Sequence, residues 1–174
     1  MGRLLISTAM TVDGVIDVTD WYVPEGEHDP AALALFDGVD AMLMGRKTYE
    51  GLAAYWAPLE GEWADLLNPL PKYVASRTLR GPLEWNATLI EGDVAEAVSN
   101  LKQKLEGDLF LTGSGELARH LLERGVIDEL VFWIHPATAG SGASPFEADS
   151  KVSLKLLETT AFDSGVVLLR YAPV

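Results

Sequence analysis

The apolar positions of this chain fall into short runs whose spacing alternates between that of strands and that of helices. Leu4 to Ala9 is a nearly continuous apolar run followed by the turn residues Asp13 and Gly14, a pattern typical of a strand that is covered on both faces. It is predicted to be the first, central strand. Other short runs predict strands over residues 41–44, 72–75, 87–90, 108–112, 130–134, 152–160 and 166–171.

Helical spacing fills the segments between these runs. Asp29 directly before Pro30 predicts a helix N-cap, and Gly38 is suited to end that helix in the left-handed region. Asp93 with Glu96 three residues later predicts a capping box. Helices are predicted from residues 31–36, from Tyr49, Leu52, Ala53 and Trp56, from Val94, Ala97, Val98, Leu101 and Leu105, and from Leu117, Ala118, Leu121 and Leu122.

The order of these elements predicts one α/β domain over residues 1–174, a mixed sheet flanked by helices. The sheet is expected to be mostly parallel, because helical segments separate its earlier strands. The last two strands, joined around residues 163–165, are expected to form an antiparallel hairpin.

Composition and charge exclude several classes of function. The chain has no cysteine, which excludes disulfides, thiolate nucleophiles and cysteine-ligated metals. Its three histidines have no metal-ligand spacing, so no metal is predicted. A formal net charge of −13 opposes binding to nucleic acid and to anionic lipid. No apolar run is long enough for a signal-peptide core or a membrane span, so a cytoplasmic protein is expected.

The strongest local motif is Gly113-Ser114-Gly115, which lies between a predicted strand and a predicted helix. Glycines there let backbone N–H groups approach a pyrophosphate at the positive end of the helix dipole. With Ala118 the segment matches the dinucleotide-binding pattern, although it comes late in the chain and the acidic Asp128 and Glu129 open the next strand rather than end it. A tight turn that caps a helix explains the same residues equally well.

Basic residues follow two further strands. Gly45-Arg46-Lys47-Thr48 resembles the end of a phosphate loop but lacks the earlier glycine that such a loop requires. A cationic pair at a helix N-terminus indicates a bound anion or, alternatively, a solvated loop. Ser76-Arg77-Thr78 offers a guanidinium and two hydroxyls, groups suited to the 2′-phosphate that distinguishes NADP from NAD. Because ligands bind at the carboxyl ends of parallel strands, the three loops together predict one nucleotide site.

Fewer residues are candidates for contact with a substrate. Ala9, a small residue at the end of the central strand, leaves room for a flat ring. Asp13 either forms a turn or acts as an acid; Asp29 either caps a helix or faces substrate, and the neighbouring His28 either lies at the surface or transfers a proton. Four aromatic residues either wall a substrate cleft or are buried in the core or a dimer interface: Trp21, Tyr22, Trp56 and Trp63.

Taken in order, these segments resemble the dihydrofolate reductase-like superfamily, closest to the branch shared with the reductase domain of bifunctional riboflavin-biosynthesis enzymes, the RibD C-terminal domain. The resemblance implies a three-layer fold around the sheet, an NADPH cofactor and a homodimer. The zinc deaminase domain of the bifunctional enzymes is excluded, since its cysteine ligands are absent here. The resemblance covers nearly the whole chain and rests on residues 6–16, 44–50, 72–78 and 113–115, and on His135-Pro136 before Gly140-Ser141-Gly142.

The resemblance also implies roles for individual residues. Ala9 and Ile16 would line the nicotinamide. Asp29 would stand near the acid that folate reductases carry on the first helix, which makes it the candidate catalytic residue. Contacts with the phosphate-bearing part of the cofactor are implied for Gly45, Arg46, Lys47 and Thr48, for Ser76 and Arg77 near the 2′-phosphate, and for Gly113, Ser114, Gly115 and Glu116 under the pyrophosphate.

The leading hypothesis is NADPH-dependent reduction of a heterocyclic small molecule, similar to the 5-amino-6-(5-phosphoribosylamino)uracil reductase of riboflavin biosynthesis. A dihydrofolate or pteridine reductase is the alternative among enzymes. A nucleotide-binding protein without turnover is the alternative from another class, and the lack of a secure proton donor in the sequence favours it.

Overall fold

Eight strands form one sheet in the part of the chain that this computed structural model describes, residues 1–18, 20–23, 26, 28–113, 115–146 and 151–174. The elements are β1 (Leu4–Thr11), α1 (His28–Ala34), β2 (Val39–Gly45), α2 (Arg46–Trp56), α3 (Glu62–Leu67), β3 (Lys72–Ala75), β4 (Ala87–Leu89), α4 (Val94–Lys104), β5 (Asp108–Thr112), α5 (Glu116–Glu123), β6 (Glu129–His135), β7 (Leu154–Ala161) and β8 (Val167–Pro173).

The strands are ordered β4-β3-β2-β5-β1-β6-β8-β7 across the sheet. Every neighbouring pair from β4 through β6 is parallel, whereas β8 pairs antiparallel with both β6 and β7. The predicted α/β architecture, a mostly parallel sheet with an antiparallel C-terminal hairpin, is therefore confirmed.

Helices cover both faces of the sheet, which gives the fold three layers. α4 and α5 pack on one face with Leu43 of β2, and α2 and α3 pack on the opposite face with its neighbour Met44. α1 lies on this second face, beside Trp133 of β6. Successive residues of a strand point to opposite faces, so residues 41–44 of β2 are all at most 1% exposed.

The first strand, β1, is buried between two parallel neighbours. Its Leu5 lies opposite Phe110 of β5 on one side and opposite Glu129 of β6 on the other. Leu4 and Ile6 pack under α4 and α5, whereas Leu5 packs on the opposite face. The continuous apolar run therefore reflects burial on both faces, and the prediction of a central strand is confirmed.

The register of the parallel strands brings three strand ends together. Gly45 at the end of β2 lies opposite Ala75 at the end of β3, and Met44 lies opposite Thr112 at the end of β5. The segments that follow these strands therefore start side by side at one edge of the sheet.

The first helix begins earlier than predicted. α1 starts at His28, so Asp29 lies in its first turn and the prediction that Asp29 is the N-cap is wrong. The cause is local: the N–H of Asp29 donates to the carbonyl oxygen of Gly26 at 3.0 Å, so the chain is already turning before this residue. A carboxylate in the first turn still interacts favourably with the helix dipole. Gly38 has the predicted left-handed conformation, with a φ of +83°, but α1 already ends at Ala34.

One helix, α3, was not predicted from the sequence. Its last turn is stabilised by Lys72 of β3, whose Nζ donates to the carbonyl oxygens of Leu67 and Asn68. The Lys72 side chain is fully buried, its Nζ lies 4.2 Å from the ring centroid of Trp85, and burial lowers its pKa to about 8. A helix of six residues is marginal alone, so its formation depends on a contact that local sequence does not reveal.

The helices are short, with 11 residues each in α2 and α4. Within the described ranges, no helix combines the length and the apolar character that crossing a membrane requires.

Candidate functional site

A cleft of about 1060 Å³, here called the strand-end cleft, opens where β2, β3 and β5 end. The three loops that the sequence singled out form its walls. Ser114, predicted together with them, lies outside the described residues. The structure thus brings separate segments to one place, while their contact with a cofactor stays a prediction. The predicted residues that line the strand-end cleft are Gly45, Arg46, Lys47, Thr48, Ser76, Arg77, Gly113, Gly115 and Glu116.

Two helices begin at the strand-end cleft with uncapped N-termini. Gly45 and Gly115 occupy the N-cap positions of α2 and α5. Glycine has no side chain that accepts hydrogen bonds from the first N–H groups of a helix, so neither N-cap residue occupies these groups in the described part of the chain. α4 differs, because the side chain of its N-cap Asp93 accepts from the N–H of Glu96 at 2.9 Å. The N-termini of α2 and α5 therefore favour an anion.

Thr48 of α2 lies against the glycine loop after β5. Gly113 has a φ of +94°, and a β-carbon added to it would lie 2.9 Å from the Thr48 hydroxyl oxygen. Both the backbone conformation and the close approach therefore require glycine. This close approach fixes the segment after β2 and the loop after β5 relative to one another.

The strand-end cleft is richer in basic residues than the chain as a whole. Its lining includes four basic residues and three acidic ones, in a chain of formal net charge −13. Among the described residues, no carboxylate lies within ion-pair distance of the exposed Lys47. This local charge suits an anionic ligand. The basic residues are Arg46, Lys47, Arg77 and Arg119, and the acidic ones are Asp93, Glu116 and Glu123.

The loop after β3 presents Arg77 at the mouth of the strand-end cleft. The hydroxyl oxygen of Ser76 accepts hydrogen bonds from the N–H groups of Thr78 and Leu79, at 3.1 and 3.0 Å. Ser76 therefore shapes the turn around Arg77, whose side chain is 89% exposed. In this structure the guanidinium donates to the carboxylate of Glu116, with 2.8 Å between Nη2 and Oε1.

One wall of the strand-end cleft was missed from the sequence. Ile90 and Asp93 line it at the junction of β4 and α4, and Arg119 and His120 line it from α5. β4 is a further parallel strand whose carboxyl end lies at the same edge of the sheet, so the strand-end rule finds this wall once it is applied to all four strands. The α5 residues carry no such signal, because they follow the glycine loop by several residues.

Three predicted residues do not line the strand-end cleft: Ala9, Ile16 and Asp29. Ala9 lies opposite Trp133 of β6 and packs with it on the α1 face. The N–H of Ile16 donates to the carbonyl oxygen of Ala143 at 2.9 Å, and Asp29 lies in α1. The suggested roles of these residues at the nicotinamide and in catalysis stay predictions.

Two buried histidines lie between α1 and the end of β6. His135 is 1% exposed, and its Nδ1 accepts a hydrogen bond from the N–H of Val23 at 3.2 Å. Burial is the main cause that lowers the pKa of His135, and the nearby His28 lowers it further. His28 is 5% exposed and lies 3.2 Å from both the Ser164 hydroxyl and the Val23 carbonyl oxygen, which excludes the surface position expected for it. In the described part of the chain, no His, Asp and Glu side chains come together as a metal-binding group.

Asp13 joins the segment after β1 to the segment after β6. It accepts a hydrogen bond from the Thr11 hydroxyl and, at 3.1 and 2.7 Å, from the N–H groups of Ala139 and Gly140. These hydrogen bonds lower the pKa of Asp13 to about 2, and the bond from Thr11 has the largest effect. Asp13 is therefore ionised near neutral pH and acts as a loop tether rather than a proton donor.

The candidate aromatic residues divide into two groups. Trp56 and Trp63 pack in the cluster beneath α2 and α3, so the core alternative applies to them. Tyr22 packs on His135, with 4.8 Å between ring centroids. Trp21 lines a small pocket of about 260 Å³ together with Val15, Asp17, Asp20, Thr138, Ala139 and Ser141.

The family of this chain follows from comparison with known proteins. The family model described as the RibD C-terminal domain matches residues 3–168. The uncharacterized protein YyaP of Bacillus subtilis (strain 168) is 29% identical over 179 residues, which cover 97% of this chain and 94% of YyaP.

Two solved structures share the architecture. A putative riboflavin biosynthesis protein from Shewanella sp. PV-4 superimposes with a TM-score of 0.79 at 22% identity and covers 99% of both chains. A dihydrofolate reductase from Enterococcus faecalis, complexed with NADP(H), has a TM-score of 0.68 at 18% identity and covers 99% of this chain and 96% of its own. The predicted dihydrofolate reductase-like fold is confirmed, and the chain belongs to the RibD C-terminal domain family.

Proposed function

We propose that this protein is an NADPH-dependent reductase of a heterocyclic small molecule and that the phosphate-bearing part of its cofactor binds in the strand-end cleft. The observation that carries the proposal is the convergence of two uncapped helix N-termini and three phosphate-compatible loops on one cleft. Membership of the RibD C-terminal domain family supports reductase chemistry, and the NADP(H) complex of the similarly folded dihydrofolate reductase supports the cofactor.

The residues of the strand-end cleft fit a dinucleotide phosphate. Its volume of about 1060 Å³ is at the upper end of small-molecule sites, which suits the phosphate-bearing part of a dinucleotide whose nicotinamide extends beyond the cleft. The tight approach of Gly113 to Thr48 leaves a surface without a β-carbon, as a backbone cradle for phosphate requires. The exposed Arg77 and Lys47 supply positive charge beside it.

Each group has a distinct binding role in this proposal. The first N–H groups of α2 and α5 hold the pyrophosphate, and Lys47 balances its charge. Arg77 binds the 2′-phosphate by charge-assisted hydrogen bonds, in the turn that Ser76 shapes. NADPH, when bound, supplies the hydride that reduces the substrate.

The substrate end of the site is proposed to lie between β1 and α1. Ala9 and Ile16 would face the nicotinamide, and the carboxyl group of Asp29 would hold the proton that the reduced product needs. A ribosylamino-pyrimidine, as in riboflavin biosynthesis, is the proposed substrate class, and it rests on family membership. We further propose that the protein works in the cytoplasm as a homodimer.

Nucleotide titration tests the proposal. The purified protein is titrated with NADPH and with NADH, following tryptophan fluorescence and thermal stabilisation. We expect tighter binding of NADPH, with the preference lost in Arg77→Ala because the 2′-phosphate loses its guanidinium. Lys104→Ala is the control, since it removes one positive charge from the last turn of α4, outside the lining of the strand-end cleft.

The outcomes separate the candidate functions. Binding of neither nucleotide contradicts the proposal. When NADPH binds, its oxidation is followed with a ribosylamino-pyrimidine, with dihydrofolate and with a pteridine. Turnover of the first supports the proposed substrate class, turnover of the others selects a folate or pteridine reductase, and tight binding without any turnover selects a non-catalytic NADP-binding protein.

A further inference from the structure

One ion pair spans the mouth of the strand-end cleft. Arg77, in the loop after β3, donates to Glu116, the first residue of α5, with 2.8 Å between nitrogen and oxygen. The two residues are 39 positions apart in the chain and belong to two of the loops proposed to hold the cofactor.

This ion pair contributes little to folding. The two side chains are 89% and 81% exposed, and exposed ion pairs are weak because water and salt screen them. The Arg46–Glu50 pair lies within one helix and depends on no neighbouring loop. The Arg77–Glu116 pair instead places a carboxylate on the guanidinium that is proposed to bind the 2′-phosphate.

We infer that Glu116 competes with the 2′-phosphate of NADPH for Arg77 and thereby lowers the preference of the protein for NADPH over NADH. The inference rests on the proposed function. NADPH must displace the carboxylate from Arg77 before its 2′-phosphate can bind the guanidinium. NADH carries a 2′-hydroxyl at that position and leaves the Arg77–Glu116 pair in place.

The position of Glu116 keeps its carboxylate at this point. It stands in the first turn of α5, where the helix dipole favours a negative charge. The carboxylate also lies beside the uncapped N-terminus proposed for the pyrophosphate. The helix dipole of α5 and the ion pair with Arg77 therefore both hold the Glu116 carboxylate next to the proposed position of the cofactor phosphates.

The test compares nucleotide affinities of the wild type and Glu116→Gln, a change that keeps the shape of the side chain and removes its charge. We expect the ratio of NADPH to NADH affinity to rise about five-fold, the factor that corresponds to one exposed charge pair. Dissociation constants are measured by tryptophan fluorescence at low salt, and the rise should shrink as salt is added.

A matched control and a second background make the test specific. Glu123 lines the same cleft at the opposite end of α5, so Glu123→Gln removes the same charge away from Arg77 and should leave the ratio unchanged. In an Arg77→Ala background, Glu116→Gln should change the ratio by less than about two-fold, because the residue competed for is absent.

The outcomes distinguish this inference from the proposed function. NADPH binding by the wild type with an unchanged ratio in Glu116→Gln overturns the inference and leaves the proposed function standing. An equal effect of Glu123→Gln, or an undiminished effect in the Arg77→Ala background, also overturns it, because the carboxylate then acts by general repulsion. Binding of neither nucleotide by the wild type overturns both.

Discussion

The buried carboxylate of Glu129 in β6 pairs with the partly exposed Arg170 of β8 at the junction of the parallel and antiparallel parts of the sheet. The carboxylate of Glu129 is 2% exposed; one of its oxygens accepts from Nε of Arg170 and the other from Arg3 at 3.1 Å. Three strands are thereby joined through one side chain, since Arg3 directly precedes β1. This contact attaches the C-terminal hairpin to the centre of the sheet.

Glu129→Gln is expected to lower the free energy of unfolding by about 1–2 kcal/mol, because a carboxylate that is 2% exposed loses the charge that strengthens its hydrogen bonds from Arg3 and Arg170. The loss is limited because the two arginines keep Asp108 and Glu158 as partners. Urea denaturation checks this value. Glu158→Gln is the matched control: Glu158 binds the same Arg170 at 3.0 Å but is 50% exposed, so its loss should cost about 0.5 kcal/mol or less. Equal losses in the two variants would contradict the role of burial.

Gly113→Ala is expected to weaken nucleotide binding at least about ten-fold, because the added methyl group meets the Thr48 hydroxyl and displaces the backbone that faces the phosphates. Gly92→Ala is the control. Gly92 also lines the strand-end cleft and has a φ of +79°, but its added β-carbon meets nothing within 4 Å. Similar affinities of the two variants, measured by fluorescence titration, would show that the Thr48 contact is unimportant.

Stability should increase with pH in the alkaline range through Lys72. Its pKa is lowered from 10.5 to about 8 in the folded protein. Between pH 8 and pH 10.5 the unfolded chain therefore binds more protons at this lysine than the folded protein does. The contribution of Lys72 to the free energy of unfolding consequently rises with pH in this range. The expected gain is roughly 1–3 kcal/mol. Urea titrations near pH 7.5 and near pH 10 should show it as a rise in the wild type relative to Lys72→Met. Parallel pH profiles of the two proteins would contradict the assignment.

The proposed homodimer is expected to use β7. This strand is at the edge of the sheet, and its Leu156 and Leu157 are 49% and 50% exposed, a surface that a monomer rarely leaves uncovered. Light scattering should give about twice the chain mass of 18.9 kDa. Leu157→Glu should halve this mass, whereas Val12→Glu, at a residue 66% exposed in the loop after β1, should not. A dimer that tolerates both changes does not use β7.

Much of the sheet could be predicted from local pattern. β3 and β5 have the predicted bounds, because each is a short apolar run between residues that disfavour strands. α3 could not be found this way, since Lys72 supplies hydrogen-bond donors to its last carbonyls from another element. The start of α1 was predicted two residues too late for a similar reason: the backbone of Asp29 contacts Gly26, which precedes the helix.

The strand-end cleft was predictable because parallel strands bring their carboxyl ends to one edge, whatever their separation in sequence. Local sequence could not show how charges pair there. Arg77 was selected because its guanidinium suits a 2′-phosphate, and the sequence did not show that it contacts Glu116, a residue proposed for the same cofactor on the opposite loop. The buried position of His28 was also unpredictable, because it depends on Ser164 of the distant hairpin turn.

The position of β1 has a consequence for how the chain is made. Leu5 pairs with Phe110 and Glu129, so β1 meets both of its neighbours only after the much later strands β5 and β6 have been synthesised. Until then its apolar residues have no partner strands, and pairings this distant in sequence are slow to form. Assembly of the central sheet is therefore delayed until β6 has been made, and β1 is exposed to aggregation during that interval.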